Sequence, residues 1–315
     1  MGSNHMNDAF NGKADLKNHL KYKNDPLRFI KEQWVGMSSE GWQYKKIVPF
    51  KYQESIIEEI NALPVTFIAS SRQMGITTLM CAYIAWYALF NKDKTILIIS
   101  NNSNGASHTL KLIKTILEAY SVKGVFNFDD DCLINNKKEI GLSNGCNIKA
   151  KGYTSDSVRA EEPDLLFIDQ AAFMKDFETL WMGIGMSLAK GKTKAIVVST
   201  PNDNSYFNKI CIDIKNRYSD ESEYSNKMPH LLQLAWDMHP KRDKAWYDHQ
   251  CLMFNHNKEM IDQELDCIIN YKDKSSNDKT ISLRIPVSLH RKVKIKIGEA
   301  SLSDYIRNLI EKDLA

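Results

Sequence analysis

The chain has 315 residues, 43% hydrophobic and 26% charged, so it is long enough to bury a core as one large domain or two. Its 42 Lys or Arg and 39 Asp or Glu give a net charge of +3, which excludes a chain that is basic throughout. Residues 279–315 hold eight Lys or Arg and four Asp or Glu, so that segment carries +4 and the remainder −1. Any electrostatic footprint for nucleic acid is therefore concentrated at the C-terminal end.

The six cysteines are scattered along the chain. That spacing predicts free thiols in a reducing compartment and argues against a disulfide framework or a zinc site. The longest apolar run, residues 79–90, is shorter than the ~20 residues that a membrane helix needs, so no membrane partner is expected. Residues 1–6 resemble a vector remnant, and no signal peptide is visible.

Hydrophobic patterning predicts an α/β fold with a parallel sheet covered by helices on both faces. Continuous apolar runs predict buried strands, and amphipathic or apolar segments between them predict helices. The predicted strands are residues 65–69, 95–100, 164–169 and 195–200. The predicted helices are residues 26–33, 52–62, 77–90 and 107–120, with further helix within 241–269. Asn144-Gly145 predicts a tight turn between short strands.

These elements divide the chain into domains. Residues 7–271 form the main domain, made of an N-terminal segment (7–60), a core (61–235) and a closing helical segment (236–271). Residues 272–279 contain no apolar side chain and predict a linker. Residues 280–315 form a separate small unit.

The segment from Ser70 to Thr78 predicts a phosphate-binding loop without its lysine. It lies between a predicted buried strand and an apolar helix, as such loops do, and a working loop ends in Gly-Lys-Ser/Thr. Here Gly75 is followed by Ile76 and then by Thr77. The lysine normally offsets the charge of the outer phosphates.

Asp169 ends a predicted buried strand, where a magnesium-binding aspartate of a nucleotide hydrolase belongs. By itself Asp169 could simply end that strand; the glycine loop upstream favours a site. Gln170 follows where a glutamate would orient or deprotonate the attacking water. Glutamine can hydrogen-bond a water but cannot take its proton.

Two weaker motifs accompany these. Ser199-Thr200-Pro201 follows a predicted strand and could sense the terminal phosphate, or could be a turn with proline at its second position. Tyr52-Gln53 could read an adenine edge.

In this order the motifs resemble the large terminase subunit of tailed bacteriophages, a motor that packages DNA into capsids. The resemblance spans residues 25–271. It is carried by the segments Asp25-Pro-Leu-Arg-Phe-Ile30, Pro49-Phe-Lys-Tyr-Gln53, Ser71-Arg-Gln-Met-Gly75, Thr77-Thr78, Phe167-Ile-Asp-Gln-Ala-Ala-Phe173, Ser199-Thr-Pro-Asn202, Trp236-Asp-Met-His-Pro240, Trp246 and Gln263-Glu264.

The resemblance implies ATP and magnesium as ligands and assigns roles to residues. Arg72 would touch the γ-phosphate, Thr77 and Asp169 would hold magnesium, and Gln53 would read adenine. Arg159 would be a phosphate sensor. The remaining nucleotide-binding positions are Ser71, Gly75, Ile76, Thr78 and Thr200.

Two departures predict a degenerate catalytic centre made of Arg72 and Gln170. Ile76 replaces the lysine of the family pattern, and Gln170 replaces its catalytic glutamate. Natural decay or repurposing and deliberate substitution both remain open as explanations. A third departure concerns the family's nuclease domain, because the 44 residues after Tyr271 are too few to hold it.

Residues 280–286 alternate polar and apolar side chains and stop at a proline, which predicts a half-buried strand. Two helices are expected after it, near 287–297 and 303–314, and Ser301 with Asp304 forms a plausible capping box. Such a strand–helix–helix unit is too small to bury a core alone, so it needs a partner.

The unit resembles ribbon-helix-helix DNA-binding domains, in which two chains pair their strands and insert the ribbon into the major groove. The resemblance implies a homodimer that binds double-stranded DNA. Thr280, Ser282 and Arg284 would face the bases, and the backbone near Ser301 and Ser303 would hold a phosphate. A strand-swapped dimerisation clip that never touches DNA is the alternative.

Together these features predict a phage- or satellite-encoded, DNA-binding pseudo-ATPase in the cytoplasm of a bacterial host. It would act with or against packaging proteins, such as a terminase or portal, or regulate phage genes. One alternative is an active packaging translocase carrying engineered substitutions. Another is a structural binder that uses nucleotide, if at all, only as a fold ligand.

Overall fold

The computed structural model describes residues 16–37, 44–122, 125–154, 162–217 and 229–271. The chain divides into two units, residues 1–271 and 272–315, and the account below concerns the first. The linker and the ribbon-helix-helix unit predicted for residues 272–315 lie outside the described residues, as does Arg159. No helix in the described ranges is both long and apolar enough to cross a membrane.

Helices and strands alternate through the core, as the apolar runs predicted. The α-helices among the described residues are α1 (Leu16–Tyr22), α2 (Pro26–Gln33), α3 (Lys51–Ala62), α4 (Ile76–Phe90), α5 (Ser103–Ala119), α6 (Phe128–Asp131), α7 (Phe177–Ala189), α8 (Tyr206–Arg217), α9 (Lys244–Met253) and α10 (Lys258–Glu264). The strands are β1 (Val35–Met37), β2 (Tyr44–Lys46), β3 (Val65–Ser70), β4 (Thr95–Ser100), β5 (Cys132–Asn135), β6 (Glu139–Leu142), β7 (Asn147–Gly152), β8 (Leu165–Asp169), β9 (Lys194–Ser199) and β10 (His230–Leu234).

Eight strands form one sheet in the order β10-β3-β9-β8-β4-β7-β6-β5, and β1 with β2 forms a separate antiparallel pair. The six strands from β10 to β7 are parallel, and β6 and β5 extend the sheet as an antiparallel meander. The predicted α/β class with a parallel sheet is therefore confirmed. The tight turn between short strands predicted at Asn144-Gly145 is confirmed, because it joins β6 to β7, which pair antiparallel. The edge strand β5 was not predicted, because it is short and partly polar.

The sheet has a hydrophobic core on each face. Alternate residues of each central strand pack into one core or the other, because successive side chains of a strand point to opposite faces. Ile68, Phe167 and Ile196 pack against α2–α5 on one face. Phe67, Leu166 and Val197 pack against α7 and α8 on the other. This two-sided cover explains why β3 is buried at all six positions and reads as a continuous apolar run.

The helix α4 is apolar on nearly all sides, with every residue from Leu79 to Trp86 buried. It contacts α2, α3 and α5 and belongs to the core on that face of the sheet. A helix enclosed in this way needs no polar face. It is therefore a rigid support for the loop that precedes it.

Candidate nucleotide site

A cavity of about 450 Å³ lies at the carboxyl ends of β3, β8 and β9. The strands are in register so that Asp169 pairs with Val198 of β9 and with Ser100 of β4. Because the strands are parallel, these ends share one edge of the sheet, where ligands of such folds bind. Predicted residues from three sequence regions meet here: Ser71, Arg72, Gly75, Ile76, Thr77, Thr78, Asp169, Gln170 and Thr200 all line the cavity.

The loop from β3 to α4 supplies a concave array of amides. Gln73 and Gly75 both have left-handed backbone, with φ of 59° and 72°. A Cβ at position 75 would lie 3.0 Å from Gln53 Nε2, so glycine suits both the dihedral and the space. The amides of residues 73–78 form no hydrogen bond with another described residue. In other proteins, such arrays at helix N-termini bind anions.

Two polar side chains of α3 hold the loop by hydrogen bonds to one of its carbonyls. Tyr52 Oη donates to the Met74 carbonyl at 2.7 Å, and Gln53 Nε2 donates to the same carbonyl at 3.2 Å. Gln53 is 3% exposed and does not line the cavity, so the structure places it under the loop. Its predicted contact with adenine stays a prediction.

Arg242 holds the loop from the closing segment and was not predicted. Its Nη2 donates to the carbonyls of Arg72 and Gln73, both at 3.0 Å, and its guanidinium lies 4.3 Å from the ring centre of Trp246. Burial lowers the pKa of Arg242 from its usual value, and Tyr52 opposes that shift. The only sequence signal was the aromatic segment around Trp246, because no spacing rule links positions 170 residues apart.

Asp169 and Thr77 meet across the cavity floor. Thr77 Oγ1 lies 3.3 Å from Asp169 Oδ1 and 3.2 Å from Oδ2. Asp169 is 6% exposed. Burial raises its pKa to about 6, opposed by the hydrogen bonds from Thr77 and from the Gln170 amide. A buried carboxylate beside a hydroxyl, and without an ion-pair partner in the described ranges, fits the oxygen ligands that magnesium prefers.

No group of three or more His, Cys, Asp or Glu side chains suited to a metal occurs in the described part of the chain. The pair Thr77 and Asp169 would thus need the ligand's own oxygens and water to complete a magnesium shell. That arrangement is usual where magnesium arrives with phosphates.

The two departures from a working site lie at the cavity wall. Ile76 is the first residue of α4, is 4% exposed and joins the core on the α4 side. Gln170 is exposed and has left-handed backbone with φ of 61°. A non-glycine residue held there stores about 1–3 kcal/mol of strain, a feature that clusters at functional positions.

The segment after β9 contacts the turn that follows Gln170. Ser199 Oγ accepts a hydrogen bond from the Ala172 amide at 3.0 Å, and Asn202 Nδ2 donates to the Ala172 carbonyl at 3.3 Å. Thr200 lines the cavity beside them. The segment that lines the cavity at Thr200 is thus hydrogen-bonded to the turn that follows Gln170.

Arg72, also predicted as a site residue, has a side chain that is 66% exposed. Its Nη1 lies 3.5 Å from Glu264 Oε2, and its amide donates to the Glu264 carbonyl at 2.9 Å. Arg72 is the only Lys or Arg among the described residues that line the cavity. The predicted tail residues Thr280, Ser282, Arg284, Ser301 and Ser303 lie outside the described ranges.

Solved structures of phage proteins share this fold. The ATPase domain of the Thermus phage P74-26 large terminase matches with a TM-score of 0.52 and 14% identity, over 69% of this chain and 92% of that one. The large terminase of bacteriophage HK97 matches with a TM-score of 0.58 and 14% identity, over 78% of this chain and 54% of that one. At this identity the likeness concerns the fold alone.

The sequence itself matches a family over residues 67–268, more than half of the chain. The family is described as terminase large subunit, T4likevirus-type, N-terminal. The matched range includes the phosphate loop, the strand that ends at Asp169 and the closing segment with Arg242 and Glu264. The chain therefore belongs to the N-terminal family of T4-like-virus-type terminase large subunits.

Proposed function

We propose that this chain is a phage- or satellite-encoded DNA-binding protein whose terminase-like domain binds Mg-ATP but hydrolyses it poorly. It would act in viral DNA packaging, interfere with it, or regulate phage genes. The observation that carries the proposal is the composition of one cavity. It keeps the amide array, Arg72, Thr77 and Asp169, yet has isoleucine and glutamine at positions 76 and 170.

Binding is supported by groups that need neither missing residue. The amides of residues 73–78 can hold the inner phosphates, because backbone N–H groups at a helix N-terminus carry partial positive charge. Thr77 and Asp169 would hold magnesium, which when bound neutralises phosphate charge. Arg72 would reach the outermost phosphate.

Weak hydrolysis is supported by what the same cavity lacks. No lysine lines it in the described ranges, and Gln170 cannot accept a proton from water. Removing one group that stabilises transition-state charge typically costs ~10²–10³ in rate. Losses in groups that act together do not add simply, so the combined deficit has to be measured.

The test compares ATP hydrolysis, with double-stranded DNA present, by the parent and by the Ile76→Lys, Gln170→Glu variant. We expect a silent parent and turnover by the variant. The matched control is Ile134→Lys, Gln250→Glu, which makes the same chemical changes outside the cavity. Rapid hydrolysis by the parent would refute the proposal. Silence of all three would mean that the domain lacks more than these two groups.

A second candidate is an active packaging translocase with engineered substitutions at these positions. It is favoured by the otherwise complete set of loop, Thr77 and Asp169 around the cavity. The natural gene sequence discriminates. Lys and Glu codons at positions 76 and 170 would support this candidate, and Ile and Gln codons would exclude it.

DNA binding and dimerisation are proposed for residues 280–315 on the sequence alone. The excess basic charge of that segment and the alternating strand ending at Pro286 support the proposal. An electrophoretic titration at low salt would compare the parent with Arg284→Ala, and with Arg307→Ala as the control for lost charge. Equal binding by Arg284→Ala and the parent would refute base contact by this strand. Packaging proteins such as a terminase or portal are the proposed protein partners.

A further inference from the structure

Backbone hydrogen bonds join the start of the phosphate loop to β10 and to the closing segment. The Ser71 amide donates to the Leu234 carbonyl at 2.8 Å, at the end of β10, and the Arg72 amide donates to the Glu264 carbonyl at 2.9 Å, at the end of α10. These bonds fix where the Arg72 side chain leaves the backbone. They leave its long, rotatable stem to be ordered by another contact.

Glu264 supplies that contact from a buried position. Its side chain is 6% exposed, and its Oε1 accepts a hydrogen bond from Gln263 Nε2 at 2.7 Å. Its Oε2 is buried and accepts no hydrogen bond from the described residues; Arg72 Nη1 lies 3.5 Å away. Leaving a carboxylate oxygen buried without a donor is unfavourable. The atom is therefore positioned to receive the guanidinium more closely.

Arg72 has donors to spare for a ligand. A guanidinium carries five N–H donors in a fixed fork, so an anchor at Nη1 leaves others for an anion. The proposed function places the inner phosphates at the amides of residues 73–78 and the outermost phosphate at Arg72. Ser71 Oγ, also buried beside the cavity and without a partner among the described residues, is a further group at this position.

We propose that Glu264 is a positioning residue that fixes Arg72 toward the terminal phosphate, so that this pair sets the preference for a nucleoside triphosphate over a diphosphate. The inference rests on the proposed nucleotide binding. Glu264 itself contacts no phosphate, since its own charge would repel it. Its effect passes through the guanidinium, whose conformational freedom the ion pair restricts.

Isothermal titration calorimetry of the full chain with magnesium tests this, using ATPγS and ADP as ligands. The variants are Arg72→Ala, Glu264→Gln and their combination, with Glu259→Gln on the exposed start of α10 as the matched control. The parent and Glu259→Gln should prefer ATPγS by roughly 10-fold or more, the range of one hydrogen bond to a charged group. Arg72→Ala should lose that preference.

Glu264→Gln should lose most of the preference for ATPγS while its affinity for ADP stays within about twofold, and the combined variant should match Arg72→Ala. Gln263→Ala keeps the carboxylate but removes the donor to Oε1, so it should show a smaller loss. It serves in place of Glu264→Gln if that variant does not fold.

Three results would overturn the inference. The first is a parental preference for ATPγS in Glu264→Gln, or in Gln263→Ala if Glu264→Gln does not fold. The second is an equal loss of both nucleotides in Glu264→Gln, which marks a purely structural role. The third is a further loss when Glu264→Gln is added to Arg72→Ala. If the parent binds neither nucleotide, the proposed function fails and this inference fails with it.

Discussion

At the scale of single residues, the pair Thr77 and Asp169 leads to a direct prediction. Replacing Thr77 with valine keeps the shape of the side chain and removes the hydroxyl that lies 3.2 Å from Asp169 Oδ2. We expect the gain in ATPγS affinity on adding magnesium to fall by roughly 10-fold, because one of the two protein groups proposed to hold the cation is lost. Titration calorimetry with and without magnesium measures it.

The control for Thr77→Val is Thr66→Val. Thr66 is buried in β3, and its hydroxyl has no hydrogen-bond partner in the described ranges and does not line the cavity. Its replacement should leave the magnesium effect unchanged. The same magnesium effect in Thr77→Val as in the control would remove Thr77 from the proposed metal shell.

The sequence could predict site residues that lie near a recognisable strand or helix. It could not predict residues that reach the loop from far along the chain. Gly75, Thr77 and Asp169 follow from local rules, since each lies just after an apolar run that ends at the same sheet edge. Glu264 was known only as part of a resembling segment, and Arg242 was not predicted. Both reach the loop from about 170 or more residues away, through backbone carbonyls that any residue could supply.

At the scale of elements, strands buried on both faces were predicted to within a residue of their ends. The helix α5 begins at Ser103 rather than near Ser107, because Asn102 caps it by accepting from the Gly105 amide. A Cβ at Gly105 would lie 2.6 Å from Ser100 Oγ. Close packing against Ser100 therefore explains why a glycine stands in the first turn of α5.

The helix α7 was not predicted from the sequence, because its local helix propensity is low. Gly183 and Gly185 lie within it, and glycine is a poor helix former, costing about 1 kcal/mol relative to alanine. Phe177, Leu180 and Ile184 are nonetheless buried against the sheet. Tertiary packing outweighs local propensity here, and such packing is invisible to a local rule.

A lysine caps the C-terminal end of α3. Lys194 Nζ donates to the carbonyls of Ile60, Asn61 and Leu63 at 2.6, 3.0 and 2.8 Å. Burial lowers the pKa of Lys194 to about 8, so the ammonium remains mostly protonated at pH 7. Lys194→Met should lower the free energy of unfolding by roughly 1–3 kcal/mol, because three carbonyls lose their donor.

Urea unfolding at pH 7 measures that change. The exposed Lys192→Met is the matched control, and it should change the free energy by less than about 0.5 kcal/mol. Equal midpoints for the two variants would show that water replaces the ammonium without loss.

The closing segment gives a second prediction at this scale. Arg242→Ala removes two bonds to loop carbonyls and the stack on Trp246. We expect destabilisation of roughly 1–3 kcal/mol together with weaker nucleotide binding, because the loop loses its support. Lys241→Ala is the control, since its ammonium lies over the Phe50 ring at 5.7 Å and touches no loop carbonyl. Unchanged nucleotide affinity in Arg242→Ala would confine Arg242 to a stability role.

At the scale of the whole molecule, ligand binding should be visible as stability. Mg-ATP at 100 times its dissociation constant should raise the free energy of unfolding by about 2.7 kcal/mol. Asp169→Asn should change both the stability of the ligand-free chain and its response to Mg-ATP. It removes a buried carboxylate whose pKa burial raises to about 6, and so should stabilise the ligand-free chain at pH 7, yet it should lose the stabilisation by Mg-ATP.

Thermal and urea unfolding with and without Mg-ATP measure the stabilisation of the parent by ligand and the two changes expected for Asp169→Asn. Asp213→Asn on the exposed side of α8 provides the same chemical change away from the cavity, and it should respond to the ligand as the parent does. A parent whose stability does not change in millimolar Mg-ATP would favour a structural binder over a nucleotide-dependent protein.

The burial of Ile76 bears on how this domain could change over evolutionary time. Its side chain belongs to the core around α4, so a return to lysine would give up apolar packing in addition to placing a charge in the cavity. A chain that acquired this isoleucine therefore meets a stability barrier against reversal, whereas the exposed position 170 presents none. The two departures thus differ in how much stability their reversal would cost. A natural isoleucine at position 76 would therefore be harder to reverse by mutation than a natural glutamine at position 170.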